Sequence, residues 1–432
     1  MPGGMMSNPK TIRSMTWLAL TLTLTAIVAG VGGAADRVGN EAGRTPHADY
    51  KWFKGNTHTH TLWSDGDAAP EMVTEWYRDH DYNFLVLSDH NILSEGEMWY
   101  PIAEDGKGRL TDERIGRIRR RFGEDWVVER SVDSKRQMRL KTLRELRAHF
   151  ETPGSFLFIQ GEEISDGYGG KPVHVNGLNL AEVVPPQKGT SVRDTMQRNI
   201  DAVIEQGRRL GRPTLAHVNH PNFGWAMTLT DLAYIRGECF FEVYNGHPSV
   251  RNYGGEERPG MESMWDYALT IRLAALDLDV LWALATDDAH NYHQTAVARA
   301  NPGRGWIVVR AEDLSADAII EAMHRGDFYA STGVIISDFR HDDSRYVVEI
   351  ESKEGVEFTT QFIGTRMTAG GPGNVGEILA ETTENPAVYE FAGDELYVRA
   401  KVVSSELHPN PHREGDHQCA WLQPVKVKGR GK

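Results

Sequence analysis

The sequence predicts an α/β fold in which strands and helices alternate and close as one barrel, followed by a small antiparallel β-domain. Three observations carry this. From Trp52 onward short apolar runs alternate with helical patterns, and the runs are continuously apolar, as strands buried on both faces require. Seven or so such units over roughly 280 residues suit one barrel better than two open sheets. After about Ser337 the runs become alternating, β-branched and aromatic, with turn residues between them. At 432 residues, 40% hydrophobic and 25% charged, the chain has room for a large barrel with an appendage. Its 43 glycines keep no fixed period, which excludes a fibrous protein.

The N-terminus is read first. Lys10 and Arg13 precede an apolar run from Trp17 to Val31, and Gly33, Ala34 and Ala35 follow. Charge, apolar core and small-residue exit predict a signal peptide over 1–35, cleaved near Ala35, with 36–50 as a linker. The run of about 15 residues is shorter than the roughly 20 that span a bilayer, so no stable membrane insertion is expected after cleavage. The expected location is periplasmic or secreted.

The barrel is expected over 51–336. Trp52–Lys54 reads as its first strand, and Pro70–His80 reads as a helix with proline at an early position. Phe84–Leu87 is the next strand, Leu140–Phe150 a helix, and Phe156–Ile159 a strand after the Pro153-Gly154 break. Further strands are expected at Val173–Leu178, Thr214–Val218, Phe240–Val243, Leu281–Ala285 and Trp306–Val309. Helices fit at Val192–Leu210, Met261–Leu276 and Ala316–Arg325. The domain over 337–432 takes Tyr346–Ile350, Val356–Phe362, Ala387–Phe391 and Leu396–Val403 as strands of a sandwich, and the basic tail Lys426–Lys432 as a fraying end.

The formal charge of −14 argues against a general nucleic-acid or anionic-membrane partner. One segment runs the other way. Lys107–Arg147 is rich in arginine, including Arg119-Arg120-Arg121, and reads either as a basic lip for an anionic substrate or as a solvated helical insertion paired with its own acids. The second is favoured, because charge runs are usually exposed faces. Cys239 and Cys419 are too few for a disulfide scaffold or a thiolate zinc site.

The chemistry concentrates in histidines and acids at strand ends. His58-Thr59-His60 follows the first strand, with Ser64-Asp65-Gly66 in a turn behind it. Alternate strand residues point the same way, so His58 and His60 can reach one ion. Ser88-Asp89-His90, Gly161-Glu162-Glu163, His174, His217 with His220, and Asp287-Asp288-Ala289-His290 lie at or near later strand ends. In a parallel barrel those ends converge on one mouth. Six segments delivering His or carboxylate to one rim form a metal-site constellation.

This ordered set resembles the PHP (polymerase and histidinol phosphatase) superfamily of metal-dependent hydrolases over about residues 51–335, most specifically at His58-x-His60…Ser64-Asp65-Gly66 and Asp288-x-His290. The long exported form is similar to a carbaryl-hydrolase-type branch. The resemblance implies a distorted (β/α)7 TIM-like barrel with two or three divalent ions at its mouth. It implies that His58, His60, Glu163 and Asp288 hold one ion, that Glu163 bridges to a second with His174 and His220, and that Asp65, His90 and His290 hold a third. Glu163 is preferred to Glu162 by its Gly-x-Glu frame, and His220 to His217 by the proline that follows it. These ligands suit Mn²⁺, Fe²⁺ or Zn²⁺ and do not choose among them.

The expected activity is hydrolysis of a phosphomonoester or phosphodiester by a metal-bridging hydroxide, with no covalent enzyme intermediate and with Asp65, His90 or His220 as proton shuttle. The same site would serve a carbamate, carboxylic ester or amide hydrolase, and a non-catalytic binding protein is the remaining alternative. Either way the expected partner is a small anionic or ester substrate. Asn245 and His247, in Tyr244-Asn245-Gly246-His247-Pro248, are candidate substrate contacts, or form a turn. Asn222-Phe223-Gly224-Trp225 is a candidate apolar wall. The C-terminal His408, His412, His417 and Cys419 read as loop residues and not as a second metal site.

Overall fold

The computed structural model describes residues 50–237 and 239–428. The expected signal peptide, the linker up to residue 49 and the last four residues of the basic tail lie outside the described residues. The first half of the chain contains β1 (Lys51–Asn56), α1 (Pro70–Asp79), β2 (Phe84–Leu85), β3 (Trp99–Pro101), α2 (Asp112–Phe122), β4 (Glu129–Val132), β5 (Lys135–Arg139), α3 (Leu143–Phe150), β6 (Leu157–Phe158), β7 (Gly161–Tyr168), β8 (Lys171–Leu178), α4 (Val192–Leu210) and β9 (Leu215–Val218). There follow α5 (Leu229–Ala233), β10 (Phe240–Asn245), α6 (Met261–Ile271), β11 (Trp282–Thr286), β12 (Trp306–Ala311), α7 (Ala316–His324) and β13 (Phe328–Ser331). The C-terminal strands are β14 (Ile336–His341), β15 (Arg345–Ile350), β16 (Phe358–Thr368), β17 (Gly371–Pro372), β18 (Glu377–Thr382), β19 (Ala387–Glu390), β20 (Glu395–Leu407) and β21 (His417–Lys426).

Local chemistry explains the helix ends. Pro70 occupies the first turn of α1, where its missing N–H costs nothing. Thr142 and Glu145 cap α3 reciprocally, and Ser191 caps α4, which ends on Gly211 in the left-handed region. α6 stops short of the expected Leu276 because its last five residues wind as a π-turn that closes on Asp277.

The result is a mixed α/β fold with several sheets, and no ladder closes a barrel among the described residues. The expectation of parallel units holds for β1–β2–β6 and for β9–β10–β11. It fails between them. Gly161-Glu162-Glu163, placed above at the end of the preceding strand, starts β7, a strand in its own right. β7 returns through Gly169 and Gly170, both at positive φ, as an antiparallel hairpin with β8. Two glycines allow a reversal too tight for a crossover helix, so β7, β8 and β9 run antiparallel. β12 likewise pairs antiparallel with β1. Two single bridges, His90 to Glu163 and Thr59 to Ala289, join the first sheet to the five-stranded sheet β11–β10–β9–β8–β7.

The change of sequence character at Ser337 does not interrupt the sheet. β21 pairs with β20 on one side and β13 on the other, so the order runs β17–β16–β20–β21–β13–β12–β1–β2–β6. The three-stranded sheet β14–β15–β19 covers this extension across a core that includes Tyr346, Val348, Phe362, Tyr389 and Val398. Gln423 of β21 bonds both backbone groups of Ala283 on β11, and Arg399 of β20 forms a buried two-point pair with Asp266 of α6. The segment His408–Cys419, expected as loop, ends in the first three residues of β21.

The arginine-rich segment contains α2 and the small antiparallel sheet β3–β5–β4, so it is only partly helical. Most of its arginines are paired, as expected of an insertion paired with its own acids. Arg117 meets Glu113, Arg119 meets Glu129, Arg136 meets Asp112 and Glu129, and Arg139 meets Glu145.

Candidate metal centre

The nine residues singled out from the sequence converge. Four groups have ligand atoms within 4.8 Å of one another: His60, Asp65, His90 and His290; His58, Glu163 and His220; His58, His60 and Asp288; and His90, Glu163 and His174. Glu162 and His217 belong to none of them.

Each side chain is delivered by a specific backbone feature. His58 and His60 leave the end of β1 on one face, and the backbone of Ala289 accepts from the N–H of His60 at 3.0 Å. The turn behind them is shaped by Gly66, where a Cβ would sit 2.5 Å from the His60 carbonyl oxygen, so only glycine lets this loop bring Asp65 back over the histidines. Asp89 holds that loop by accepting from the Thr61 N–H at 2.8 Å and from the Ser64 hydroxyl at 2.6 Å. On β7 the period of two sends Glu163 into the site and Glu162 to the opposite face, where it accepts from the Val184 N–H and burial pushes its carboxyl up to about 7. His174 reaches Glu163 across the hairpin at 2.9 Å. His220 and Asp288 adopt positive φ, a conformation rare for such residues, which turns their side chains inward at the ends of β9 and β11.

Charge is concentrated where water is scarce. His58 Nε2 lies 3.3 Å from Asp288 Oδ1 and 3.5 Å from Glu163 Oε1. His60 Nε2 lies 3.3 Å from both Glu163 Oε2 and Asp288 Oδ1. His290 Nε2 and His90 Nε2 lie 3.2 and 3.4 Å from Asp65 Oδ1. Burial opposes ionisation of Glu163, yet His174 and His58 hold its carboxyl well below the usual range. Burial is likewise overcome at Asp288 by His58 and His60, and at Asp65 by His290 and His90. Burial and the neighbouring His290 push His60 down to about 3, so its imidazole is a neutral donor.

The donor set fits divalent cations. His58 Nε2 and His60 Nε2 are buried and make no hydrogen bond of good geometry, although each stands 3.3 Å from Asp288 Oδ1 in the cluster. Such atoms are expensive to bury unless something satisfies them. A cation does so, and imidazole with carboxylate is the ligand chemistry of Mn²⁺, Fe²⁺ and Zn²⁺.

Of the supporting residues, Asp287 was named in the sequence beside Asp288, while Glu242 and Asn219 went unrecognised. Glu242, in the middle of β10, accepts from Thr286 Oγ1 and the His220 N–H, and its Oε1 stands 2.6 Å from His58 Nδ1. The available signal was one acid inside the apolar run Phe240–Tyr244, since a buried charge must have partners. Asn219 donates to Glu163 Oε1 and to Asn176 Oδ1. Asp287 accepts from the N–H groups of Gly303, Arg304 and Gly305 and from the Tyr77 hydroxyl.

The reading of Asn245 as a substrate contact is corrected. Its amide donates to Glu242 Oε2 and Asp288 Oδ2, its carbonyl accepts from the His247 N–H, and it is fully buried, so no group remains for a substrate. His247 does stand at the rim, its ring 5.3 Å from that of His290. Phe223 lies edge-on to both His220 and His247, in the position of the expected wall.

No protein family and no curated relative matches this chain. Among solved structures, the neighbours include PHP-like metal-dependent phosphoesterases. One is a two-domain protein from Bacteroides vulgatus containing a predicted PHP-like metal-dependent phosphoesterase, at 14% identity over 90% of this chain and 100% of that one, with a TM-score of 0.35. A second, from Bifidobacterium adolescentis, is described as a candidate metal-dependent phosphoesterase, at 12% identity over 65% and 98% of the two chains, TM-score 0.30. A third is an amidohydrolase from Chromobacterium violaceum with bound sulfate and no metal, at 14% identity over 55% and 88%, TM-score 0.29. At these scores the likenesses establish neither the fold nor the activity of this chain, whose case rests on its own residues.

Proposed function

We propose that the mature chain is an exported metal-dependent phosphoesterase of the PHP type, acting on a small anionic phosphomonoester or phosphodiester. The carrying observation is that ligands are shared: His58, His60, His90 and Glu163 each belong to two of the four groups. Sharing favours two or three ions held close together over separate single sites. The bridged sheets around this end of the molecule are compatible with a distorted (β/α)7 barrel. The apolar leader and its small-residue exit support export.

His58, His60, Glu163 and Asp288 would hold one ion, Glu163 with His174 and His220 a second, and Asp65, His90 and His290 a third. Ions so held supply Lewis acidity toward a phosphoryl oxygen and acidify water. The protein's own residues do the rest. Glu242 and Asn219 aim the ligands through hydrogen bonds to His58 and Glu163. Asp65 and His90 have side chains 42% and 28% exposed, against 7% for His220, so they are the better proton shuttles between site and solvent. His247 faces the rim and can hold a substrate oxygen.

The test is a substrate panel on the metal-loaded protein: aryl phosphomonoesters, phosphodiesters, carbamates, carboxylic esters and amides. Turnover of a phosphate ester that is lost to chelator and restored by Mn²⁺ is the expected result. Turnover confined to carbamates, carboxylic esters or amides would move the assignment to that class.

A further inference from the structure

A cavity of about 210 Å³ is lined by Asp67, Arg114, Asn291, His293, Gln294 and Arg299, none of them a candidate ligand. Its walls are the loops that carry two of the candidate ligands. Asp67 follows Asp65 by two residues and donates its N–H to the His290 carbonyl at 2.8 Å, and Asn291 is the next residue after His290. Whatever occupies the cavity is therefore one loop-thickness from Asp65 and His290.

The lining is cationic in an acidic protein. Arg114 sits in the first turn of α2 and donates from Nη1 to the Asp67 carbonyl at 2.9 Å and to the Arg109 carbonyl, which fixes its guanidinium in place. Arg299 makes one long contact, at 3.4 Å, to Gln294 Oε1. Unlike the paired arginines of the same region, neither forms an ion pair with a carboxylate among the described residues. The one acid of the lining is already engaged, since Asp67 accepts from the Tyr292 N–H at 2.9 Å and from Asn291 Nδ2 at 3.3 Å. His293 Nε2 is bonded to the Asp67 carbonyl at 2.9 Å. Two guanidiniums against one carboxylate leave the lining net positive, and with the amide groups between them they match a phosphate or carboxylate, which takes Arg donors in pairs.

We propose that this cavity is an anion subsite that receives a second phosphate- or carboxylate-type group of the substrate, so that the preferred ester carries another anionic group besides the one hydrolysed. The substrate part rests on the hydrolytic reading above. The same chemistry would also bind a free anion, and the two sources separate experimentally.

The full-length, Mn²⁺-loaded protein is assayed with phenyl phosphate and with phenyl phosphates carrying a carboxylate at each ring position or on a short alkyl arm. In the wild type at least one carboxylated ester should have the higher kcat/KM. In Arg299→Glu, and independently in Arg114→Gln, the ratio of kcat/KM for that ester over phenyl phosphate should fall at least tenfold, chiefly through KM. Calorimetric titration with sodium sulfate forms the second arm. Loss of sulfate binding in both variants with an unchanged ester ratio would overturn the substrate assignment and leave a free-anion site. Unchanged sulfate binding and an unchanged ratio would overturn the subsite altogether. If the wild type hydrolyses no phosphate ester, the hydrolytic reading fails, and the sulfate arm still reports on the subsite by itself.

Discussion

Glu242 Oε1 stands 2.6 Å from His58 Nδ1, with both side chains fully out of water. The contact settles which nitrogen of His58 faces the cluster: Nδ1 is bonded to the carboxylate, and Nε2 is directed at Glu163 and Asp288. The second Glu242 oxygen takes the His220 N–H and the Asn245 amide, so one carboxylate ties the ends of β1, β9 and β10 together. A carboxylate behind a ligand histidine fixes its tautomer and makes it more basic.

Glu242→Gln keeps the volume and removes the charge. Metal affinity should fall about 10- to 100-fold, the usual effect of losing such a partner. Competition titration against a chromogenic chelator reads this directly. Wild-type affinity in the variant would reduce Glu242 to a structural acid.

Protein purified without chelator should hold two or three transition-metal ions per chain by elemental analysis, because nine buried or half-buried His and carboxylate groups on one rim need cations to satisfy them. Dialysis against chelator should abolish hydrolysis, and added metal should restore it. Less than one ion per chain, with no gain on reconstitution, would contradict the assignment.

Glu163→Gln should lower both metal content and activity, the latter by at least about 10²-fold. Glu162→Gln should leave metal content intact, since that side chain points away and bonds Val184. The opposite result would move the bridge by one residue. With a phosphate substrate in ¹⁸O-labelled water, one turnover should place solvent oxygen in the phosphate and trap no phosphoenzyme.

A chain ending near Ser337 should not fold to a metal-binding state. It would bare the β13 edge that β21 covers, remove Tyr397 and Trp421 from the core they share with Trp265 and Phe241, and strand Asp266 without Arg399. Loss of an established buried ion partner costs about 3–5 kcal/mol by itself. A soluble truncated chain with a cooperative melt and full metal content would contradict this.

Stability should depend on pH through His408. Burial first, and the Arg304 charge second, push its imidazole down to about 4. An unfolded histidine takes a proton near pH 6.5, so between pH 6.5 and 4 the unfolded chain binds a proton that the folded one refuses, and stability falls as pH falls. The loss from this residue is roughly 3 kcal/mol across the window. Urea titrations at pH 7 and pH 5 should show a smaller difference for His408→Gln than for the wild type.

The sequence alone determined what depends on neighbours along the chain. The i, i+2 spacing put His58 and His60 on one face, the Gly-x-Glu frame favoured Glu163 over Glu162, and turn residues marked where segments end. These are local regularities with short periods; they marked six segments as carrying ligands, and the resemblance to the PHP superfamily narrowed them to nine residues. Tertiary structure decided what lies far apart in sequence. Glu242 is 184 residues from the histidine it orients, and Asn245 was spent on Glu242 and Asp288 instead of a substrate. The pairing of β21 with β13 rests on such distant contacts. Arg114 and Arg299, unremarkable in a segment of paired charges and in a loop, share a cavity only after folding. Periodicity tells which way a side chain points. Which partner it meets depends on register between distant strands, and that is settled by packing a whole core at once.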